Sequence, residues 1–336
     1  MDTSGSNGED PISKCVVQLM KRYYLPVFYT IIFIVALVGN VTSIAIYLTK
    51  LRPWKSSSII MVNLALTDLL YVLSMPFLVH YYSIGESWLL SNFMCRYIRF
   101  SFHFHLYGSI LFLTCLAVFR FAVVLKPLIA AQVEKRFWGI LACSAVWVIV
   151  AAQTVPMLWL ISSEESQNKT VCMDFASTKC IDQLYWYSWL LTTVGFLLPL
   201  VVVFLCYIGI RKQLAEGPYE STPSRVRARR VTVLILVVFV VCFLPYHTLR
   251  VLRIHTRRQN TPASVHNIVD AAYIISRPLA GLNTVSNLAL YTLSGDKFRR
   301  AFRNTFHWAR CLDKARSLLG IAPTNTGGTD MPDVPG

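Results

Sequence analysis

Charge is what this 336-residue chain has least of: 15% of its residues are charged and 55% are hydrophobic. A soluble protein of this length usually carries about a quarter charged residues, so a single soluble core could not hide so much apolar side chain. Acid is scarcer still, with 17 Asp and Glu against 32 Lys and Arg. The excess of base could suit nucleic acid, but the basic residues cluster between long apolar runs, a pattern of membrane topology and not of nucleic-acid binding. Other absences narrow the class further. No run alternates with the period of two that an outer-membrane barrel needs. There is no internal repeat, P-loop or Rossmann glycine pattern, metal-ligand spacing or nucleophile–base constellation, so an enzyme is not expected and no cofactor motif is present. The opening MDTSGSNGED has no apolar segment, so a cleavable signal peptide is not expected and the first hydrophobic run should act as the insertion signal.

What is present is a series of seven apolar runs of spanning length, at about 26–49, 57–80, 92–125, 137–160, 184–211, 229–254 and 267–293. They predict an all-α membrane protein, a seven-transmembrane helix bundle over residues 25–294. Lys50, Arg52, Lys55, Lys126, Lys135 and Arg136 share one side of such a bundle with the cluster from Arg211 to Arg230 and the basic tail. That side is expected to be cytoplasmic, which puts the N-terminal tail, residues 1–24, outside. The sequon Asn168-Lys169-Thr170 falls in an outside loop on this topology, marking Asn168 for glycosylation. After the seventh run, residues 295–308 read as a short amphipathic eighth helix on the inner leaflet, with Phe298, Phe302 and Phe306 on one face. A disordered cytoplasmic tail follows at 309–336, where Cys311 is either palmitoylated or a free thiol.

The chain is organised around the stretch from Phe93 to Pro127, which carries no acid. Arg99, His103 and Tyr107 recur at i, i+4 and i+8 and share one helical face. Arg250 and Arg253 on the sixth run and Arg277 on the seventh lie at similar depth, with His247 a turn deeper and Tyr29 and Tyr82 on the first two runs. So many guanidinium groups facing one cavity would repel one another unless an anion joined them, held bidentately by arginine. The alternative is that they snorkel outward or pair with Asp174 and Asp270. Asp68 is the only acid well inside the runs, with Asn40, Asn63, Ser109, Asn283 and Asn287 as polar company. It reads either as a small-ion or protonation site or as part of an interhelical polar network. Cys95 and Cys172 both fall in oxidising space and are expected to be bonded; Cys15 and Cys180, also outside, are a second candidate pair.

Gly39-Asn40-Val41, the run NLALTDLL from Asn63 to Leu70, Trp88 with Cys95, Phe119-Arg120-Phe121 and Trp147 form a familiar series. It continues with Pro199 and Tyr207, Phe243-Leu244-Pro245 and Asn287-Leu288-Ala289-Leu290-Tyr291. Together, over roughly residues 23 to 308, they resemble the rhodopsin-like G-protein-coupled receptors. The runs RPWKSSSIIMVNLALTDLL, CFLPYHTLRVLRI and AAYIISRPLAGLNT look like the branch that binds small dicarboxylates. The resemblance implies a multi-pass plasma-membrane receptor for an extracellular dicarboxylate, 2-oxoglutarate first, with succinate, a cysteinyl leukotriene or a nucleotide as alternatives. It implies ligand contacts at Arg99, His103, Arg250, Arg277, Tyr29 and Tyr82, a heterotrimeric G protein (Gq or Gi) meeting Arg120, and arrestin as a further partner. It implies switch positions at Phe243, Pro245, Asn287 and Tyr291, and an allosteric sodium ion held by Asp68, Ser109, Asn283 and Asn287.

This chain also departs from the pattern. Phe119 stands where the family has an acid before Arg120, which implies appreciable ligand-free signalling. Phe243 replaces a tryptophan, and Leu288 replaces the proline after Asn287, removing a kink. The seventh run has no lysine, so retinal cannot form its Schiff base. An organic-anion transporter or a decoy that binds without signalling are the competing classes. A transporter usually shows repeats and broken helices.

Overall fold

The computed structural model describes residues 11–125, 132–161, 163–166, 169–174, 181–216, 223–259 and 261–305. Asn168, Cys180, Phe306, Cys311 and the tail beyond lie outside them.

Six of the expected spans form helices of spanning length, and the seventh forms in two pieces. Six helices are long and apolar enough to cross a membrane: 14–49, 56–83, 92–125, 136–160, 181–215 and 225–258. In lipid every backbone N–H and C=O has to be satisfied within the segment, so apolar runs of this length become helices. Their outward faces carry Ile31, Val35, Val38, Val148, Ile149, Leu205 and Val241, all exposed, while Asn40, Asp68, Ser109 and Asn287 are fully buried inside. A soluble domain has the reverse arrangement.

The third span, Asn92–Leu125, is 34 residues long, about 51 Å at 1.5 Å per residue and longer than a ~30 Å hydrocarbon core. Both of its ends therefore reach the polar layers. It packs against the second, fourth, fifth and sixth spans. Small residues allow close approach: a Cβ on Gly139 of the fourth span would lie 2.7 Å from Ser56 Cα of the second. Trp147 donates to Asn63 Oδ1 at 2.8 Å across the same pair.

Prolines break the regularity where the sequence puts them. The second span is two helices, Ser56–Val72 and Met75–Ser83, with Pro76 at the start of the second. The sixth runs Pro223–Val238, widens into a π-helical turn at Phe239–Phe243, and resumes as Leu244–Arg258 with Pro245 at its start. The seventh is interrupted after all. Ala263–Gly281 and Asn283–Ser294 meet at Leu282, four residues past Pro278. The irregularity expected to vanish with the missing Asn287-Pro pair arises earlier in the span.

Two features extend the expected bundle. The N-terminal tail is helical from Pro11, as Pro11–Leu19 and a π-helical turn Met20–Tyr24 lead into the first span, Leu25–Thr49. Between the fourth and fifth spans, β1, Ser163–Ser166, and β2, Lys169–Cys172, form an antiparallel hairpin with Ser163 opposite Cys172. The Cys95–Cys172 disulfide ties this hairpin to the third span, and Trp88 N–H donates to Thr170 O at 2.7 Å. Cys15 carries a free, exposed thiol, and its expected partner Cys180 lies outside the described residues. The eighth helix, Asp296–Thr305, forms as expected. Phe298 on it is buried against Tyr47 (5.1 Å between ring centres) and Tyr291 (6.0 Å), so its apolar face also docks on the bundle.

Candidate functional site

At the hairpin end of the bundle lies a cavity of about 250 Å³, lined among others by Tyr82, Arg99, Asp174, Arg253, Tyr273 and Arg277. The second, third, sixth and seventh spans each contribute to it, and β2 with the residues after it forms one wall. Arg277 Nη1 donates to the Tyr82 hydroxyl at 2.7 Å and Arg99 Nη1 to the same oxygen at 3.2 Å. Arg99 Nη2 donates to Cys172 O at 2.9 Å, so the disulfide also fixes a cation. Two guanidinium groups thus converge on one phenol oxygen. Tyr29 is buried on the first span within electrostatic reach of Arg277, Tyr82 and Arg99.

Arg253 has resident partners. Its Nε donates to Asp270 Oδ1 at 2.6 Å, its Nη2 to Oδ2 at 3.4 Å, and its Nη1 lies 3.6 Å from Asp174 Oδ2. Of the two readings the sequence allowed for Arg253, the structure shows pairing with Asp174 and Asp270. Asp174 also accepts from the Tyr273 hydroxyl at 3.0 Å. Burial pushes its pKa up, but the guanidiniums of Arg277, Arg99 and Arg253 outweigh that and hold the carboxyl well below the usual carboxylate range. The lining counts five bases, Lys21, Arg99, Arg253, Arg257 and Arg277, against three acids, Glu86, Asp174 and Asp270. Lys21 pairs with Glu86 at 3.1 Å and Asp270 is engaged by Arg253 and Arg257. Two positive charges are left over in the cavity.

A second tier lies deeper and is closed. His103 Nδ1 contacts Arg99 O at 2.9 Å, and its Nε2 meets the Tyr246 hydroxyl at 3.2 Å. Arg250, fully buried, donates to Tyr107 Oη at 2.7 Å and Thr192 Oγ1 at 3.0 Å, and lies 3.3 Å from His247 Nδ1. His247 itself stacks on Phe196 with ring centres 4.4 Å apart. His103, His247 and Arg250 are not among the residues lining the cavity. Tyr246 links His103 and Arg250, its hydroxyl 3.2 Å from His103 Nε2 and its ring 5.6 Å from the Arg250 guanidinium. Sequence reasoning singled out neither Tyr246 nor Tyr273. Their one signal was aromatic residues one turn from arginines on the same helices.

At mid-bundle, Asp68 accepts from Asn287 Nδ2 at 3.2 and 2.9 Å on its two oxygens, and His105 Nδ1 stands 3.4 Å from Oδ1. The Ser109 hydroxyl lies 3.3 Å from that same nitrogen. Both carboxylate oxygens therefore accept from the Asn287 amide and one has a ring nitrogen beside it, a set that does not fit a sodium ion, which takes oxygen ligands. The Asn283 amide makes no hydrogen bond among the described residues. Tyr291 Oη lies 3.4 Å from Asn40 Oδ1 on the first span. Phe243 is fully buried against Phe239, in the π-helical turn just before Pro245.

At the far end, Arg120 Nη2 donates to Ser294 O at 3.4 Å. It lines a cavity of about 560 Å³ with Tyr47, Arg52, Lys55, Arg227 and Arg300. Arg227 pairs with Asp296.

Residues 39–291 match the model of the 7 transmembrane receptor (rhodopsin family). The chain is 49% identical over 282 residues to a rat protein named 2-oxoglutarate receptor 1, covering 84% of each chain, and 48% identical to its mouse counterpart over the same extent. It is 36% identical to a chicken protein named as a purinoceptor, covering 83% of this chain and 78% of that one. The chain belongs to the rhodopsin family of seven-transmembrane receptors, multi-pass membrane proteins that couple a ligand to a G protein.

Proposed function

We propose that this receptor recognises a small dicarboxylate, 2-oxoglutarate, in the cavity at the hairpin end. The observation that carries the reading is the surplus of two positive charges there, with Arg99 and Arg277 both turned onto Tyr82. A dianion neutralises that surplus, and arginine grips carboxylates through paired N–H donors. Over the aligned 282 residues the relatives named for 2-oxoglutarate are nearly half identical to this chain, and those named as purinoceptors about a third. A cavity of about 250 Å³ also suits a small acid better than a nucleotide, since sites for larger ligands run from ~300 to 1,000 Å³.

The hairpin end faces outward and the Arg120 end faces the cytoplasm at the plasma membrane, in keeping with the basic residues around Arg52, Lys55, Arg227 and Arg300. Ligand draws the cationic ends of the third, sixth and seventh spans together. The sixth span pivots at the π-helical turn and Pro245, moving Tyr246 off the Arg250 tier and opening the far end beside Arg120 for a G protein of the Gq or Gi type, and afterwards for arrestin. The ligand shifts the balance only by binding the open form more tightly.

The test is calcium release or cyclic-AMP inhibition in transfected cells titrated with 2-oxoglutarate and succinate. A response to 2-oxoglutarate at lower concentration than to succinate supports the assignment. Surface-expressed receptor silent to both acids overturns it.

A further inference from the structure

Asp68 is the only acid among the described residues that is wholly buried, and its surroundings differ from those of an ion site. A sodium ion there would need Asp68, the Ser109 hydroxyl and amide oxygens of Asn283 and Asn287 around one point. The His105 ring reaches into that group of oxygens. Its Nδ1 lies 3.4 Å from Asp68 Oδ1 and 3.3 Å from Ser109 Oγ, between two of the oxygens the ion would use. His105 and Ser109 are one helical turn apart on the third span, so their side chains leave it on the same side.

The ring has little freedom to leave. It is 1% exposed and lies flat on Tyr71, with ring centres 4.9 Å apart and planes at 11°. Tyr71 is itself fully buried. Asn287 Nδ2 caps the carboxylate from the seventh span. Asn283 Oδ1 and Asn287 Oδ1 have no donor among the described residues, so the pocket retains ligand oxygens.

We infer that His105 holds the place of the sodium ion, so that this receptor's Asp68 pocket is closed to sodium and joins the second, third and seventh spans by direct side-chain contacts. The imidazole fills the space whichever protonation state it has, so the inference does not depend on its charge. It is also independent of the ligand's identity.

The test uses the purified full-length receptor without agonist. Its melting temperature is measured in about 150 mM sodium chloride, near physiological ionic strength, and in an equal concentration of N-methylglucamine chloride. The wild type should melt at the same temperature in both. His105→Asn, and His105→Ser as a second opening variant, should gain roughly 3 °C in sodium, as a bound ion stabilises the folded state. Asp68→Asn added to either should abolish the gain. In membranes carrying His105→Asn, sodium should lower agonist affinity by about tenfold, a typical coupling between sites. A sodium-dependent rise in the wild type overturns the inference. So does the absence of any rise in both His105 variants, because a histidine that merely packs there would leave no ion site behind.

Discussion

Asp174 lies within electrostatic reach of Arg277, Arg99 and Arg253, where the proposed site puts a carboxylate of the ligand, and Asp174→Asn probes the charge balance of the cavity. Asn keeps an oxygen for the Tyr273 hydroxyl at 3.0 Å, so shape and one hydrogen bond survive. The change is the loss of one negative charge. Two carboxylates about 5 Å apart repel by roughly 3 kcal/mol at an effective dielectric of 20. Halving this for screening by the nearby guanidiniums leaves about 1.5 kcal/mol, roughly a tenfold change in affinity. The half-maximal concentration of 2-oxoglutarate in a calcium assay should therefore fall about tenfold at matched surface expression. The pH sign also follows. A carboxyl with a lowered pKa keeps its ion pairs above the ordinary value of about 3.9 and loses them only as pH falls through the lowered one. The gain should thus be the same at about pH 6 and about pH 7.4. An unchanged or weakened response in Asp174→Asn, with the receptor at the surface, would refute the view that Asp174 competes for the ligand's place.

Other perturbations reach other parts of the bundle. Arg120 has a carbonyl, Ser294 O, within reach and no acid beside it at Phe119. Phe119→Asp should lower basal second-messenger output toward that of mock-transfected cells, and an unaltered basal level would contradict this. Tyr107→Phe removes the 2.7 Å acceptor of the buried Arg250. It should destabilise the receptor by about 1–3 kcal/mol, read as faster thermal loss of ligand binding in detergent. Cys172→Ala releases the hairpin and the carbonyl that Arg99 Nη2 binds. Loss of such a bond costs about 2–5 kcal/mol, so surface expression and ligand response should both fall, whereas Cys115→Ala should leave them intact.

The spans, the Cys95–Cys172 bond and the cationic end were legible because each rests on one-dimensional signals: apolar length, cysteines in oxidising space, and arginines within apolar runs. What was not legible depends on how the helices rotate about their axes. Arg253 and Arg277 look alike in sequence, yet Arg253 is turned toward Asp270 on the neighbouring span and Arg277 toward Tyr82. Arg250, one turn from Arg253, faces inward to Tyr107 and Thr192 and does not line the cavity. His105 was visible as a histidine in an apolar helix, but nothing in the third span says that Asp68 of the second lies against it. The break at Leu282 had local signals in Pro278 and Gly281, which the smooth hydropathy of the seventh run masked.

The most direct test is equilibrium binding of labelled 2-oxoglutarate to membranes carrying the wild-type receptor, Arg277→Lys or Arg277→Ala. Arg277 should be an anchor for one carboxylate. Arg277→Lys keeps the charge but not the paired donors and should weaken binding by about tenfold to a hundredfold, the range of a charged hydrogen bond. Arg277→Ala should abolish measurable binding, since truncating one partner of a buried charge pair costs about 2–5 kcal/mol. Wild-type affinity in Arg277→Ala would mean that the acid binds elsewhere.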